Sequence, residues 1–245
     1  MDREKRMANC IHWLFGRGAS IGCNLNWVVP SRLMHLPREQ KIAEIKKELI
    51  EASGHPSVDT TVYRKLLNNL SSRTATGWRH RFGTTNWDCL LEKEINLLKL
   101  EVLPSWFADS HVFHINGTIE EWGKKEYRSP FLLEDDSYKK RTPTMEADEL
   151  FNFMIWGNFF IVIGMSFECE MDRFLLANLN RVEDDLPIGN SIWLVLNPDK
   201  DALEKSSSRI QAALPRSKVY IAAKKFEEWI DDGMGVLRDI GTFAF

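Results

Sequence analysis

The chain has 245 residues, of which 44% are hydrophobic and 27% charged, so we expect one domain with a substantial apolar core. The formal net charge of −3 excludes a strongly basic protein, and nothing in the sequence indicates a nucleic-acid partner. The cysteines Cys10, Cys23, Cys89 and Cys169 lie far apart and form no CxxC pair, which predicts reduced thiols and no structural zinc or other metal.

The first third of the chain combines an apolar run, a glycine turn and helical patterns. Residues 3–13 fit either a short helix or an extended lead-in, and no secretory signal is expected there. Residues 13–22, WLFGRGASIG, predict a buried strand that turns sharply into a helix. Residues 38–52 predict an amphipathic helix with an apolar stripe, and a second helix is expected over 60–70. Together they predict a helical insertion at about 30–78, with a polar turn at 71–77. The stripe consists of Ile42, Ile45, Leu49 and Ile50.

The middle of the chain is less regular. A strand is expected over residues 79–82, followed by a helix over 89–98 for which Asp88 is the candidate N-cap. A short strand is expected over 111–116, then a polar surface loop over 123–143 and a helix over 146–156. The apolar stretch 151–167 contains Asn152, Gly157 and Asn158, so it predicts no membrane span. We therefore expect a cytoplasmic protein.

The last third of the chain gives the clearest pattern. Apolar runs at 159–163 and 191–196 predict strands, and a short strand is expected over 218–222. Residues 171–180, 201–214 and 225–231 predict helices between and after them. Strands that are apolar throughout and alternate with helices are typical of a parallel sheet covered on both faces. The fold class predicted is therefore α/β, a Rossmann-like parallel sheet flanked by helices, in a single domain.

The segment GRGAS, residues 16–20, is part of a dinucleotide-binding fingerprint. The third glycine of GxGxxG would fall at Ile21 and is absent. Two interpretations stay open at this point. The glycines either let the backbone approach a phosphate at a helix N-terminus, or they form a tight turn that binds no ligand.

Three further polar clusters follow predicted strands, at residues 83–88, 164–166 and 197–199. Ligands of such sheets bind beyond the carboxyl ends of the strands, where all four clusters are expected to meet.

Four segments of the chain resemble, in order and spacing, the motifs of the sirtuin-like NAD-binding family. They are GRGAS at 16–20, TTNWDCLLE at 84–92, VFHINGTI at 112–119 and GMS at 164–166. The second is the most specific match, to TTNYDxLLE. The resemblance covers about residues 13–196. The deacylases' zinc cysteines are missing, so the chain looks closer to the bacterial NAD-hydrolysing branch.

The resemblance implies that NAD is the substrate or ligand and assigns site residues by position. Asn86 would hydrogen-bond the ribose hydroxyls and the attacking water. Arg17 either pairs with a phosphate, blocks the phosphate site or pairs with an acidic group. The implied nucleotide-binding residues are Gly16, Arg17, Gly18, Ala19, Ser20, Thr84, Thr85, Asn86, Gly164, Ser166 and Asn197.

The chain departs from the family at its catalytic histidine, where Asn116 stands instead. Asparagine cannot take up a proton near neutral pH, although it can orient a water or a ribose hydroxyl. His114 lies two residues earlier on the predicted strand, so its side chain would share a face with that of Asn116, about 7 Å away. His114 is thus either a replacement base or a histidine that packs and hydrogen-bonds beside the sheet.

Other residues of these motifs keep two interpretations. Asp88 is a helix cap or an acid–base group, and Trp87 belongs to the core or stacks on a ligand. Asn197 and Asp199 either hold the adenosine ribose or form an Asx-Pro turn.

Two functions follow from the resemblance. One is an NAD glycohydrolase that releases nicotinamide and ADP-ribose, as members of this branch do in antiphage defence. The other is a catalytically impaired relative that binds NAD or ADP-ribose as a sensor or structural subunit. Protein deacylation ranks third, because both the zinc cysteines and the histidine are missing. By resemblance we also expect a homo-oligomer or a separate protein partner.

Overall fold

The computed structural model describes residues 10–71, 79–98, 112–120, 131–133, 159–168, 170–182 and 191–234. Several predicted features lie outside these residues. They are the lead-in at 3–9, the turn at 72–77, most of the loop at 123–143 and the helix at 146–156.

The described strands form one parallel sheet. The strands are β1 (Cys10–Phe15), β2 (Arg79–Thr84), β3 (Val112–His114), β4 (Phe159–Ile163), β5 (Ile192–Leu196) and β6 (Lys218–Ala222). Their order across the sheet is β3-β2-β1-β4-β5-β6, and every neighbouring pair is parallel. Strands β4 and β5 are apolar throughout because both of their faces are covered, as the fully buried run FFIVI of β4 illustrates. This confirms the predicted α/β, Rossmann-like sheet.

Helices connect the strands and cover both faces of the sheet. In the described part of the chain no helix combines the length and apolarity needed to cross a membrane. The helices are α1 (Arg17–Gly22), α2 (Arg38–Ser53), α3 (Thr61–Ser71), α4 (Leu90–Leu98), α5 (Glu170–Val182), α6 (Lys200–Ala213) and α7 (Phe226–Asp231), with a 3-10 turn at Ser31–Leu33.

Helices α2 and α3 lie in the connection from β1 to β2, where the sequence predicted helices. Ile45 and Leu49 of α2 are buried, as expected for the predicted stripe, whereas Ile50 is 45% exposed. Ile50 follows Leu49 by one residue, which turns its side chain about 100° away from the buried face. The apolar stripe of α2 is therefore narrower than the sequence suggested.

The core has two layers because side chains alternate across the sheet. In β1, Trp13 and Phe15 point to one face and join a cluster with Tyr63 of α3 and Phe226 of α7. Leu14 points to the other face and joins a cluster with residues of β4, β5, α5 and α6. Burial on both sides holds the strand ends in fixed register, and the polar clusters follow those ends.

Candidate active site

The carboxyl ends of β1, β2, β3 and β4 meet at one edge of the sheet. Phe15, the last residue of β1, is in register with Thr84 of β2 and with Ile163 of β4, and Thr84 is in register with His114 of β3. The segments that follow these residues are therefore neighbours, as the sequence predicted. The candidate site consists of four segments. They are the glycine turn at 16–20, where β1 ends and α1 begins, the TTNW segment at 84–87, the turn at 115–118 and the Gly-Met-Ser turn at 164–166.

The glycines of this edge are required by the contact between two turns. The Gly16 amide donates to Ile163 O and the Gly18 amide to Gly164 O, both at 2.9 Å. A Cβ on Gly16 or Gly18 would lie 2.6–2.7 Å from Gly164 backbone atoms. Gly164 has a φ of +65°, and a Cβ there would lie 2.5 Å from the amide nitrogen of Ala19. Packing of backbone on backbone thus explains all three glycines, and phosphate binding by this turn stays a prediction.

Two hydrogen bonds hold the side chain of Asn86 in place. Its amide nitrogen donates to Gly16 O at 2.9 Å and to Ser20 Oγ at 2.8 Å. A backbone carbonyl only accepts, so the NH₂ group must face Gly16 and the orientation of the side chain is fixed. Both amide hydrogens are used in these two bonds, which leaves Oδ1 as the atom of Asn86 able to accept a hydrogen bond from a ligand. The side chain is half-buried.

The buried carboxylate of Asp88 holds Ser20 in this arrangement. Ser20 Oγ, which accepts from Asn86, donates in turn to Asp88 Oδ2 at 2.7 Å. Asp88 Oδ1 accepts from the amide of Leu90 at 3.3 Å. Burial raises the pKa of Asp88, although the bonds from Ser20 and Leu90 oppose that shift. Asp88 thus accepts from the first amide of α4, as a cap would, but it lies one position further from the helix than predicted, since α4 begins at Leu90 and not at Cys89.

The backbone of the TTNW segment is held by the turn that follows β3. Four successive carbonyl oxygens accept hydrogen bonds from residues 114–119. Thr84 O accepts from the Ile115 amide at 2.8 Å, and Trp87 O from the Ile119 amide at 2.9 Å. The two carbonyls between them, of Thr85 and Asn86, accept from side chains rather than from amides. The segment that carries Asn86 is thus fixed along its whole length.

Those two side chains are Asn116 and His114. The predicted strand over 111–116 is wrong at its end, because β3 stops at His114 and residues 115–116 form a turn. His114 and Asn116 therefore do not lie on one strand face. Asn116 is buried, and its amide nitrogen donates to Thr85 O at 3.0 Å. At the position of the family histidine the chain thus has a side chain that holds the TTNW backbone.

Both ring nitrogens of His114 are engaged. Nδ1 donates to Asn86 O at 3.0 Å, and Nε2 contacts Oε1 of Glu92. Burial alone would lower the pKa of His114, but the Glu92 carboxylate and the bond to Asn86 outweigh it and raise the pKa above its ordinary value. In this arrangement neither nitrogen is available to accept a proton from a water in the site. The geometry favours the histidine that hydrogen-bonds beside the sheet over the replacement base.

Thr84, Thr85 and Ser166, which were predicted to bind nucleotide, make hydrogen bonds with the backbone. Thr84 Oγ1 donates to Phe15 O, and the Thr85 amide donates to the same oxygen, both at 3.0 Å. Ser166 Oγ accepts from the Glu168 amide at 3.3 Å. Ala19 and Ser20 are buried in α1.

Arg17 is exposed, and its guanidinium donates to Asn26 Oδ1 at 3.3 Å. It therefore does not pair with an acidic side chain in that contact. Trp87 stacks on Phe131 with ring centroids 4.9 Å apart and donates to Leu132 O, so it packs as a partly buried core residue. The contact of Arg17 with Asn26 does not test whether Arg17 pairs with a phosphate, so that pairing stays a prediction.

The turn after β5 is explained by local geometry. Asn197 Oδ1 accepts from the Asp199 amide at 3.0 Å, which is an Asx turn. Asp199 is the N-cap of α6 and accepts from the amides of Asp201 and Ala202. These contacts favour the Asx-Pro interpretation, and ribose binding by Asn197 stays a prediction.

Sequence reasoning gave no role to two residues at this edge. Glu92 belongs to the TTNWDCLLE motif, but only the fold shows that it meets His114, which is 22 positions away. Arg209 of α6 donates to Ser166 O at 2.7 Å and so fixes the Gly-Met-Ser turn. A charged residue on the face of a helix that covers the sheet is the sequence signal that could have indicated each of them.

In comparisons with known proteins, neither a protein-family model nor a curated protein matches the chain.

Proposed function

We propose that the chain is a sirtuin-like NAD glycohydrolase, which cleaves the bond between nicotinamide and ribose. The observation that carries the proposal is the anchoring of Asn86 by Gly16 and Ser20, at the sheet edge where a dinucleotide would bind. Four motifs in family order supply the identity of the ligand. Antiphage defence, a cytoplasmic location and a homo-oligomer or protein partner belong to the same proposal and rest on the resemblance alone.

The reaction breaks the C–N bond to nicotinamide, which leaves as a neutral base. As this bond breaks, the ribose develops oxocarbenium character. A water then adds to the ribose and loses its proton to solvent, which gives ADP-ribose. Oδ1 of Asn86 accepts a hydrogen bond from a ribose hydroxyl or from that water, and so holds the reacting atoms in position. The Asn86 amide cannot swing away, because both of its hydrogens bind protein oxygens.

The second candidate is a protein that binds NAD or ADP-ribose without turning it over. One observation favours it: Asn116 cannot take a proton, and both nitrogens of His114 are engaged. A general base accelerates such a reaction roughly 10²–10⁴-fold. A site without a base is therefore expected to turn NAD over slowly. No contact among the described residues at this edge favours deacylation.

The test is incubation of the purified protein with NAD, with nicotinamide and ADP-ribose followed by chromatography. Asn86→Ala is the test variant, and Asn180→Ala is its matched control, since Asn180 is exposed on α5 and bonds Ala213 O. The glycohydrolase proposal expects release from wild type and from Asn180→Ala, and at least about 100-fold less from Asn86→Ala. Release that is equal in all three proteins would contradict it.

Calorimetry with ADP-ribose distinguishes the second candidate. Saturable binding without any release supports the non-catalytic binder. If neither binding nor release is found, both candidate functions are wrong and only the fold remains.

A further inference from the structure

A buried group of three side chains next to the Asn86 segment has the composition of a metal site. Cys89, Glu92 and His114 offer a thiol sulfur, a carboxylate oxygen and a ring nitrogen, and these atoms lie within 4.8 Å of one another. All three residues are buried, with exposures of 0%, 3% and 7%. Ionisable residues that are buried together need either mutual pairing or a metal.

The fold brings the three residues together from two elements. Cys89 precedes α4 and Glu92 lies three residues later, a spacing that places both on one side of the helix. His114 ends β3, whose neighbour β2 leads directly into the TTNW segment and α4. The first and the last of these residues, Cys89 and His114, are thus 25 positions apart in sequence, and no CxxC pair indicates the site.

Two of the three side chains have the outer partners that metal ligands usually have. His114 donates its Nδ1 proton to Asn86 O at 3.0 Å, which turns Nε2 toward Glu92. Metal-binding histidines characteristically donate their other ring N–H to a carbonyl or carboxylate oxygen. Thr118 Oγ1 lies 2.9 Å from Cys89 Sγ, where its hydroxyl can donate to a thiolate.

The third side chain has an unused ligand atom. Oε2 of Glu92 is buried and has no hydrogen-bond partner among the described residues. Burial of a carboxylate oxygen without a hydrogen-bond partner destabilises the folded state, because the oxygen loses its hydrogen bonds to water and forms none within the protein. A cation bound between Glu92, His114 and Cys89 supplies what is missing.

We propose that Cys89, Glu92 and His114 bind one Zn²⁺ ion. A mixed set of sulfur, nitrogen and oxygen donors suits Zn²⁺, whereas Mg²⁺ and Ca²⁺ take oxygen ligands. Binding of Zn²⁺ displaces the thiol proton of Cys89 and the proton shared by His114 and Glu92, and both protons pass to solvent. The thiolate and the carboxylate then balance the charge of the ion. A water completes four-coordination. Through His114 the ion fixes the backbone of Asn86, a role that does not depend on which reaction the site performs.

The zinc content of the purified full-length chain, after incubation with Zn²⁺ alone and removal of free ion, tests this proposal. We expect about one zinc per wild-type chain, as for a single site of this kind. Cys89→Ser is the test variant, and Cys23→Ser is the matched control, because Cys23 is also a buried free cysteine and lies outside the cluster. Cys23→Ser should keep its zinc, and Cys89→Ser should lose it.

Cobalt substitution provides a second readout that does not depend on activity. Co²⁺ bound to the wild-type chain should show a thiolate-to-metal charge-transfer band, and Glu92→Gln should weaken binding of the ion at least about tenfold. A wild-type chain that binds no zinc overturns the proposal, whatever the variants do. Equal zinc content in wild type and Cys89→Ser also overturns it.

Discussion

At the scale of single residues, the site depends on small side chains and on fixed amides. The turns at 16–20 and 164–166 touch through their backbones, and Asn86 is oriented by oxygens of Gly16 and Ser20. The sequence indicated the glycines and Asn86, because glycine and asparagine in such turns are informative by themselves. It did not indicate that the glycine amides bind the neighbouring turn, since that contact depends on the register of β1 and β4.

Substitution of Gly164 tests how tightly the two turns are packed. Gly164→Ala places a Cβ 2.5 Å from the Ala19 amide nitrogen at a φ of +65°, so we expect a loss of about 3 kcal/mol or more in the free energy of unfolding. Gly22→Ala is the control, because a Cβ on Gly22 meets nothing within 4 Å. It should be neutral or stabilise α1 by up to about 1 kcal/mol. Urea denaturation of both variants measures the difference, and equal effects would contradict the packing described.

His12 makes stability depend on pH. Burial, and then the nearby Arg81, lower the pKa of His12 to about 3, below its ordinary value of 6.5. The unfolded chain therefore takes up a proton as the pH falls below 6.5 while the folded chain does not, and stability decreases. Between pH 8 and pH 5 this single group should cost about 2 kcal/mol.

The variant His12→Phe isolates that contribution. Phe keeps a ring against Phe160, whose centroid lies 4.9 Å from that of His12, and it does not titrate. Denaturant unfolding at pH 8 and pH 5 should show a smaller decrease for His12→Phe than for wild type, by about 2 kcal/mol. His55→Gln, at an exposed position, should follow wild type. Parallel profiles for wild type and His12→Phe would contradict the burial of a neutral histidine.

At the scale of elements, the sequence predicted the last three strands of the sheet most accurately. The run FFIVI was predicted as a strand with the bounds that β4 has, because a continuous apolar, β-branched run that ends at a glycine is typical of a buried strand. The strand at 111–116 was predicted too long. The strand ends at His114 because a turn begins there, in which the Gly117 amide donates to His114 O and Gly117 has a φ of +78°. Apolar periodicity does not indicate that turn.

Helix α4 is tied to α3 by a buried carboxylate. Glu94 is 1% exposed and accepts from Thr60 Oγ1 at 2.6 Å and from two guanidinium nitrogens of Arg64, at 2.8 and 2.9 Å. Glu94→Ala leaves these donors without their acceptor, so we expect a loss of about 2–3 kcal/mol in the free energy of unfolding. Glu227 pairs with Lys65 at the surface, and Glu227→Ala should cost less than about 1 kcal/mol. Thermal unfolding compares the two, and a similar cost for both would show that burial of Glu94 contributes nothing.

At the scale of the whole molecule, one sheet with two core layers holds every part of the candidate site. The four motif segments are far apart in the chain, and the parallel sheet brings them to one edge because all of its described strands end on the same side. Alternation of apolar runs and helices made that arrangement predictable. The partnerships within the edge were not predictable, as the contact between His114 and Glu92 shows, because they depend on turns whose geometry only the folded chain defines.

The measurement that tests the central claim most directly is the rate of nicotinamide release from NAD by the purified protein and by Asn86→Ala. The account predicts release by wild type that rises with protein concentration and falls at least about 100-fold when Asn86 is replaced. A chain that releases no nicotinamide, or a variant that releases it as fast as wild type, would contradict the assignment of this edge as a glycohydrolase site.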